Sequence, residues 1–520
     1  MSNGNQNGTA PNAHRLLWAG FMAILAAGVG FSVRGGILGQ WADEFGFTMT
    51  ELGTITGGGL TGFGIVIIAT SLVADKIGYG KLMVIAFLLH LISAFITFAA
   101  PWAFAVGGKD SAFRCLAAGM FLFSISNGLA EAVVNPLTAA LFPKEKTHYL
   151  NILHAGWPAG LVVGGLAAAW MGARAVDWKI QMSLFLIPVV IYGVMLFGQR
   201  FPRSEAAAAG ATLWEMVGTL FAPLMIILLV IHAMVGYVEL GTDSWISKIT
   251  GSIMDNPTKG LTLFVYTSTL MFVLRFFAGP IVHRISPLGL LFVSSILGAV
   301  GLTLLGNATT VVFCGIAATV YALGKTFLWP TMLAVVSERF PKGGAVSIGM
   351  LGGVGMLSAG LLGGPAIGYQ QDKYASEKVK EKSEATFERY EASEPARFLF
   401  STTTALASDK VGVLGNNGVE LAGDIELLRS QNPDDENAAL KNLESLESWW
   451  QEASPFASVD GPIVEEAAIY GGRTALKLTA YVPATMAVLF LCLIIGFRAT
   501  GGYKAVILEE SPESEGTAES

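Results

Sequence analysis

Six charged side chains sit where charge is costly. Arg34, Glu131, Glu239, Asp243, Arg275 and Lys325 fall within, or near the ends of, apolar stretches long enough to cross a bilayer. An ionised group at the centre of hydrocarbon costs about 2.5–3.5 kcal/mol on insertion scales, so such residues face partners or a water-filled cavity. Both signs occur in the chain's first half. Both occur again in its second half. The chemistry this permits is the binding and passing on of a small polar solute through a helical membrane protein. Glu131 leads the candidates. A carboxyl group only accepts hydrogen bonds when ionised and donates as well when protonated, so proton binding there can be coupled to solute binding. Arg34 has two readings, an anchor for an anionic substrate or a neutralising partner of Glu131. Glu239 and Asp243 are four residues apart and share a helix face, with Arg275 and Lys325 as expected partners. That group reads as an interhelical ion-pair network that breaks and reforms.

Other side chains could hold a solute more gently. Asn151 and His154 are one helical turn apart, and amide and imidazole groups suit hydroxyl-rich ligands as well as helix–helix hydrogen bonds. Asn135 precedes Pro136, and Gln40 lies near the end of the first apolar stretch. Trp157, Trp245 and Trp329 offer stacking platforms or packing.

The elements that must position these groups are membrane helices. About 20 apolar residues span a bilayer core. Twelve such runs are predicted, at roughly 16–40, 51–74, 82–105, 114–141, 150–173 and 180–199, then 220–247, 261–281, 288–307, 309–335, 345–369 and 474–497. The reading is an all-α membrane protein of two pseudo-symmetric six-helix bundles, 16–199 and 220–497, joined by a linker at 200–219. Lys and Arg in the short loops favour both termini, 1–15 and 498–520, on the cytoplasmic side, the second as a disordered acidic tail. A polar, acidic insertion at 371–470 then lies outside. Its leucines Leu440, Leu443 and Leu446, followed by Trp449 and Trp450, have helix-like spacing, as in a self-packed cap or a lid over the outer mouth.

Composition agrees. Charged residues make up 14% of the 520-residue chain, against about 25% in soluble domains, and there are 62 glycines, which favour close helix packing in membranes. No basic run suggests nucleic acid, and Cys115, Cys314 and Cys492 show neither metal spacing nor a disulfide framework. No hydrolase, kinase or nucleotide-binding motif is present, so the reading is a non-enzyme without cofactor; the coupling ion expected from Glu131 is the proton. Its partners would be a small-molecule solute and the lipid bilayer, its oligomeric state a monomer.

An internal repeat ties the halves together. Aligning Pro136 with Pro330 places Glu131 opposite Lys325, and Asp75-Lys76-Ile77 corresponds to His283-Arg284-Ile285. The segment SLVADKIGYGK, Ser71 to Lys81, resembles the signature of the major facilitator superfamily through Asp75, Lys76, Gly78 and Lys81. That resemblance implies a conformational latch between the bundles, with Arg284 at the repeated position. A narrower resemblance is to the fucose–galactose–glucose proton symporter family. It is carried by Glu131, Asn135-Pro136, Leu150-Asn151, Glu239, Trp245, Arg275, Trp329-Pro330-Thr331 and Gly352-Gly353. It implies proton-coupled transport of a sugar or related polar solute across the cell (inner) membrane by alternating access. Where that family's fucose permeases carry an Asp in the first helix, this chain has Gly35, beside Arg34. An organic-anion transporter and a transport-inactive sensor of the same fold are the alternative readings.

Overall fold

The computed structural model describes residues 10–47, 51–52, 54–55, 59–431 and 438–508. Among the described residues, twelve helical segments follow one another in the order expected of the spans. Ten are long and apolar enough to span a bilayer; Gly59–Ser71 (helix 2) and Pro257–Arg275 (helix 8) complete the set. Helices 1, 3, 4, 5 and 6 are Ala13–Phe45, Tyr79–Phe98, Ala100–Leu141, Lys146–Gly172 and Trp178–Leu196. Helices 7, 9, 10 and 11 are Pro223–Ile253, Ala278–Gly306, Val311–Arg339 and Pro341–Lys382. Helix 12 comprises Ala457–Thr479 and Tyr481–Ala499.

Two turns are tighter than the sequence suggests. The expected loop at 105–114 is a break at Gly107 and Gly108 inside Ala100–Leu141, with Gly108 at φ 69°. The loop at 281–288 is a single left-handed residue, Ser286, at φ 65°. Within each bundle, glycine lets helices touch. A Cβ on Gly160 of helix 5 would lie 2.4 Å from the Leu25 carbonyl of helix 1, and one on Gly236 of helix 7 would lie 2.0 Å from that of Gly355 of helix 11. No side chain fits there, and close backbone approach is how membrane helices gain packing without a hydrophobic driving force.

The insertion has different limits from those expected. Helix 11 continues to Lys382 and helix 12 begins at Ala457, so the separately folded cap is 383–456. Small residues again explain the extension: Gly471 of helix 12 packs on the backbone of Gln371 and Ala375, which lets the two helices leave the bundle as a pair. The cap holds a short hairpin, Ala396–Phe398 with Ser401–Thr403, and helices at Ser408–Gly415, Val419–Gln431 and Ala438–Ala453. It has its own core. Leu440 is buried with Val413, Leu421 and Ile425, and Leu443, Leu446, Trp449 and Trp450 pack against them. An Arg389 fork on Asp460, at 2.7 and 2.8 Å, ties the cap to helix 12.

The linker 200–219 contains helices Glu205–Ala208 and Leu213–Gly218, started by Ser204 and Thr212 as N-caps. The C-terminal segment is not wholly free: Tyr503 donates to Glu338 at 2.6 Å and Val506 N–H to the Glu338 carbonyl at 2.8 Å. The remainder of that acidic tail, 509–520, and residues 1–9 lie outside the described residues.

Candidate functional site

Two prolines build the centre of the molecule. A proline has no N–H to give the carbonyl four residues back. Pro158 frees the carbonyl of His154, and Pro330 frees that of Thr326; helices 5 and 10 each break at this point. Both carbonyls accept from Arg275, His154 from Nη1 at 2.6 Å and Thr326 from Nε at 2.9 Å. Arg275 Nη2 donates to Glu239 at 3.0 Å. Glu239 sits in a π-helical turn, Tyr237–Gly241, whose Gly241 lies against a second π turn at Ala359–Gly363 in helix 11. Such turns widen a helix locally and re-aim its side chains. One turn on, Asp243 pairs with Lys325. The expected partners are therefore joined. Arg275 does more than was expected of it, since its bond to His154 links the two bundles.

Glu131 lies beside this network, lining a small void with His154, Trp157, Glu239, Arg275 and Trp329. It enters no ion pair among the described residues, and its Oε1 has no hydrogen-bond partner. Asn135 accepts from His154 Nε2 at 2.8 Å. Asn151 takes the second of its two expected roles. It is fully buried and donates to the Thr147 carbonyl and to Thr331 Oγ1 of helix 10, so it makes a helix–helix hydrogen bond and does not line that void. Trp329 packs at a tilt against His232, with ring centroids 4.5 Å apart.

Arg34 does not neutralise Glu131. Its guanidinium lies over the Phe123 ring, 3.5 Å from the centroid, and no carboxylate reaches it among the described residues. The residue is 4% exposed, and Nε and Nη2 have no hydrogen-bond partner. Cation–π attraction stabilises it by about 2 kcal/mol when desolvated, which does not satisfy its N–H donors. The guanidinium borders a cavity of about 360 Å³ between the bundles, with Phe31, Gly35, Asn127, Trp157 and Ser244 around it. Phe31, Gly35 and Ser244 also line a larger cleft of about 1090 Å³, which opens toward the cap side beside Glu465, Ala468 and Ile469 of helix 12. The six central ionisable residues thus divide unequally. Four form two ion pairs, and two of opposite sign, Arg34 and Glu131, stand apart.

Several residues escaped the sequence reading. Asn127 is one turn before Glu131 on helix 4, a signal that was available. His90 and Tyr192 gave none; each is a lone polar group in an apolar run, and only packing joins them to Asn127.

The sequence profile of the Major Facilitator Superfamily matches residues 20–365. The chain belongs to that superfamily. It is 25% identical over 264 residues to a chloramphenicol resistance protein of Streptomyces lividans, a match covering 50% of this chain and 63% of that protein. It is 27% identical over 188 residues to a cis,cis-muconate transport protein of Acinetobacter baylyi, covering 34% and 40% respectively. The chain therefore spans less than two thirds of the length of these curated relatives. Among solved structures it resembles the E. coli fucose:proton symporter FucP, with TM-score 0.55, 14% identity, and 69% and 91% of the two chains covered. It also resembles the human organic anion transporter MFSD10, with TM-score 0.55, 13% identity, and 69% and 93% covered. At such identities the likeness is one of fold.

The segment Ser71–Lys81 lies at the end of the molecule where the described residues begin and end. There Asp75 approaches the start of helix 11: a Cβ on Gly344 would lie 3.5 Å from its Oδ2. Burial lifts the Asp75 carboxyl above its ordinary range, against the opposing effect of the Ser204 and Tyr79 hydroxyls. Gly78 takes φ 91°, a left-handed turn that L side chains rarely adopt. The basic members of the expected latch do not join it. Lys76, Lys81 and Arg284 are exposed and enter no ion pair among the described residues, because charged side chains at this depth reach water instead. Closure falls to Lys146, which pairs with Glu205 at 2.7 Å and donates to the Ser337 carbonyl at 3.2 Å, and to Thr147, which bonds Glu338 at 3.1 Å. Two further candidates lie off the cavities: Gln40 donates to the Val176 carbonyl at 3.3 Å, and Trp245 Nε1 to that of Gly364 at 2.8 Å. The superfamily fold is thus sealed at the terminal end and open at the cap end.

Proposed function

We propose that this multi-pass membrane protein is a secondary transporter that moves a small organic anion together with a proton by rocking its two bundles. The observation that carries this is Arg34, a buried residue lining a cavity, whose guanidinium has two unbonded donors and no carboxylate partner among the described residues. A charge left unpaired inside a protein is strongly destabilising, so its retention beside a void makes an anionic ligand the natural partner. The muconate transport protein and the organic anion transporter named above support an anionic cargo. Glu131, also without a counter-ion among the described residues, would carry the coupled proton, and the Arg275 bridge to helix 5 would part and re-form as the bundles rock. We place both termini in the cytoplasm and the cap outside, on the distribution of basic residues.

A sugar cargo, as the narrower sequence resemblance implies, is the second reading. Uptake into proteoliposomes with an imposed proton gradient separates them. Radiolabelled carboxylates should accumulate and sugars should not. Arg34→Gln should abolish uptake, and Glu131→Gln should abolish uphill accumulation while leaving exchange. Accumulation of sugars with carboxylates ignored would overturn the anion reading.

A further inference from the structure

We propose that the Arg34 cavity accepts a monocarboxylate with a flat, apolar body, and that His90 is a positioning residue that turns the Asn127 amide toward that carboxylate. The inference rests on the anion reading and narrows it.

The donor set comes first. His90 is fully buried between helices 3, 4 and 6. Its Nε2 lies 2.9 Å from Asn127 Oδ1 and its Nδ1 lies 2.8 Å from the Tyr192 hydroxyl. An amide oxygen only accepts, so Nε2 must carry the ring proton, and Nδ1 then accepts from Tyr192. This chain consumes the Asn127 oxygen and leaves its NH2 group to the cavity that Asn127 lines. Arg34 lies over Phe123, one turn before Asn127 on the same helix face. Arg34 and the Asn127 amide therefore both line the cavity, a guanidinium and an amide to share the two oxygens of one carboxylate.

The rest of the cavity is apolar. Phe31, Phe63, Phe123, Trp157, Leu38 and Met120 are its large side chains. Its two serines are already engaged, Ser124 with the Gly59 carbonyl at 2.7 Å and Ser244 with that of Leu240 at 3.0 Å. A sugar acid would bring several hydroxyls against a largely apolar wall, and a second carboxylate would be buried against hydrocarbon; each carries a desolvation cost. An aromatic or short aliphatic acid incurs neither.

Titration calorimetry on the purified full chain tests this with benzoate, benzamide, terephthalate and gluconate as probes. Benzoate should bind; benzamide should bind at least about tenfold more weakly because it loses a charge-assisted hydrogen bond, and terephthalate and gluconate at least about tenfold more weakly because their extra polar groups are desolvated. Asn127→Asp should weaken benzoate by more than about tenfold, since it replaces a donor with a repelling acceptor. His90→Phe, which releases the amide, should raise the benzoate Kd by about tenfold and narrow the benzoate-to-benzamide preference, and His90→Gln, which keeps a donor toward Asn127, should restore both. The wild-type probe series needs no variant, so a misfolded mutant does not spare the proposal. Preference for gluconate or terephthalate overturns the substrate class and leaves the anion reading standing. Binding of none of the three carboxylates overturns the anion reading itself. An unchanged benzoate preference in folded His90→Phe overturns the positioning role.

Discussion

Gly35 offers a direct test of the electrostatic argument. It borders the same cavity as Arg34, and a Cβ added there meets nothing within 4 Å. Gly35→Asp would therefore place a carboxylate in open space near an unpaired guanidinium. At a separation of roughly 5 Å and an effective dielectric of about 20, opposite unit charges attract by about 3 kcal/mol. An incoming anion must displace that intramolecular partner, so its Kd should rise by roughly 100-fold. Gly35→Asn supplies the same volume without charge and sets the steric baseline. The assay is equilibrium binding of a carboxylate to purified protein, in parallel with counterflow in proteoliposomes. The aspartate variant should also be at least as heat-stable as the asparagine variant, because it gives Arg34 a counter-ion. If Gly35→Asp binds anions as tightly as Gly35→Asn does, Arg34 is not the anchor and the reasoning from its unpaired charge fails.

Other consequences concern the two ends of the molecule. Lys146→Ala removes the pair with Glu205 and the bond to Ser337, and should shift the equilibrium away from the open cap-side cleft by about 1–2 kcal/mol. Thiol labelling of Ala169→Cys in that cleft should slow accordingly. Asp75 binds a proton more readily where it is buried at the closed end than when the bundles part and water reaches it. Acid therefore favours closure: labelling of the same cysteine should rise as the pH falls from neutral toward about 4, and Asp75→Asn should remove that dependence. Asp460→Ala strips a fully buried partner from Arg389, and the cap should lose about 2–3 kcal/mol, discounted for the partial exposure of Arg389. Hydrogen exchange should report this as faster opening of 383–456 with the membrane helices unchanged.

The sequence by itself determined the class of molecule. Long apolar runs leave no alternative to membrane helices, because backbone groups in lipid must be satisfied within the chain. Periodic leucines placed a helix in the cap, and the spacing of Glu239 and Asp243 anticipated their partners, since residues four apart on a helix share a face whatever surrounds it. Sequence could not decide between the two readings of Arg34, because the distance from helix 1 to helix 4 is set by the way bundles pack. Nor could it show that Pro158 and Pro330, about 170 residues apart, free two carbonyls for one arginine. The Tyr192–His90–Asn127 chain joins three helices through single side chains with no periodic trace. Local pattern fixes which residues face inward; only the tertiary structure decides which of them meet, and so which buried charge is left without a partner.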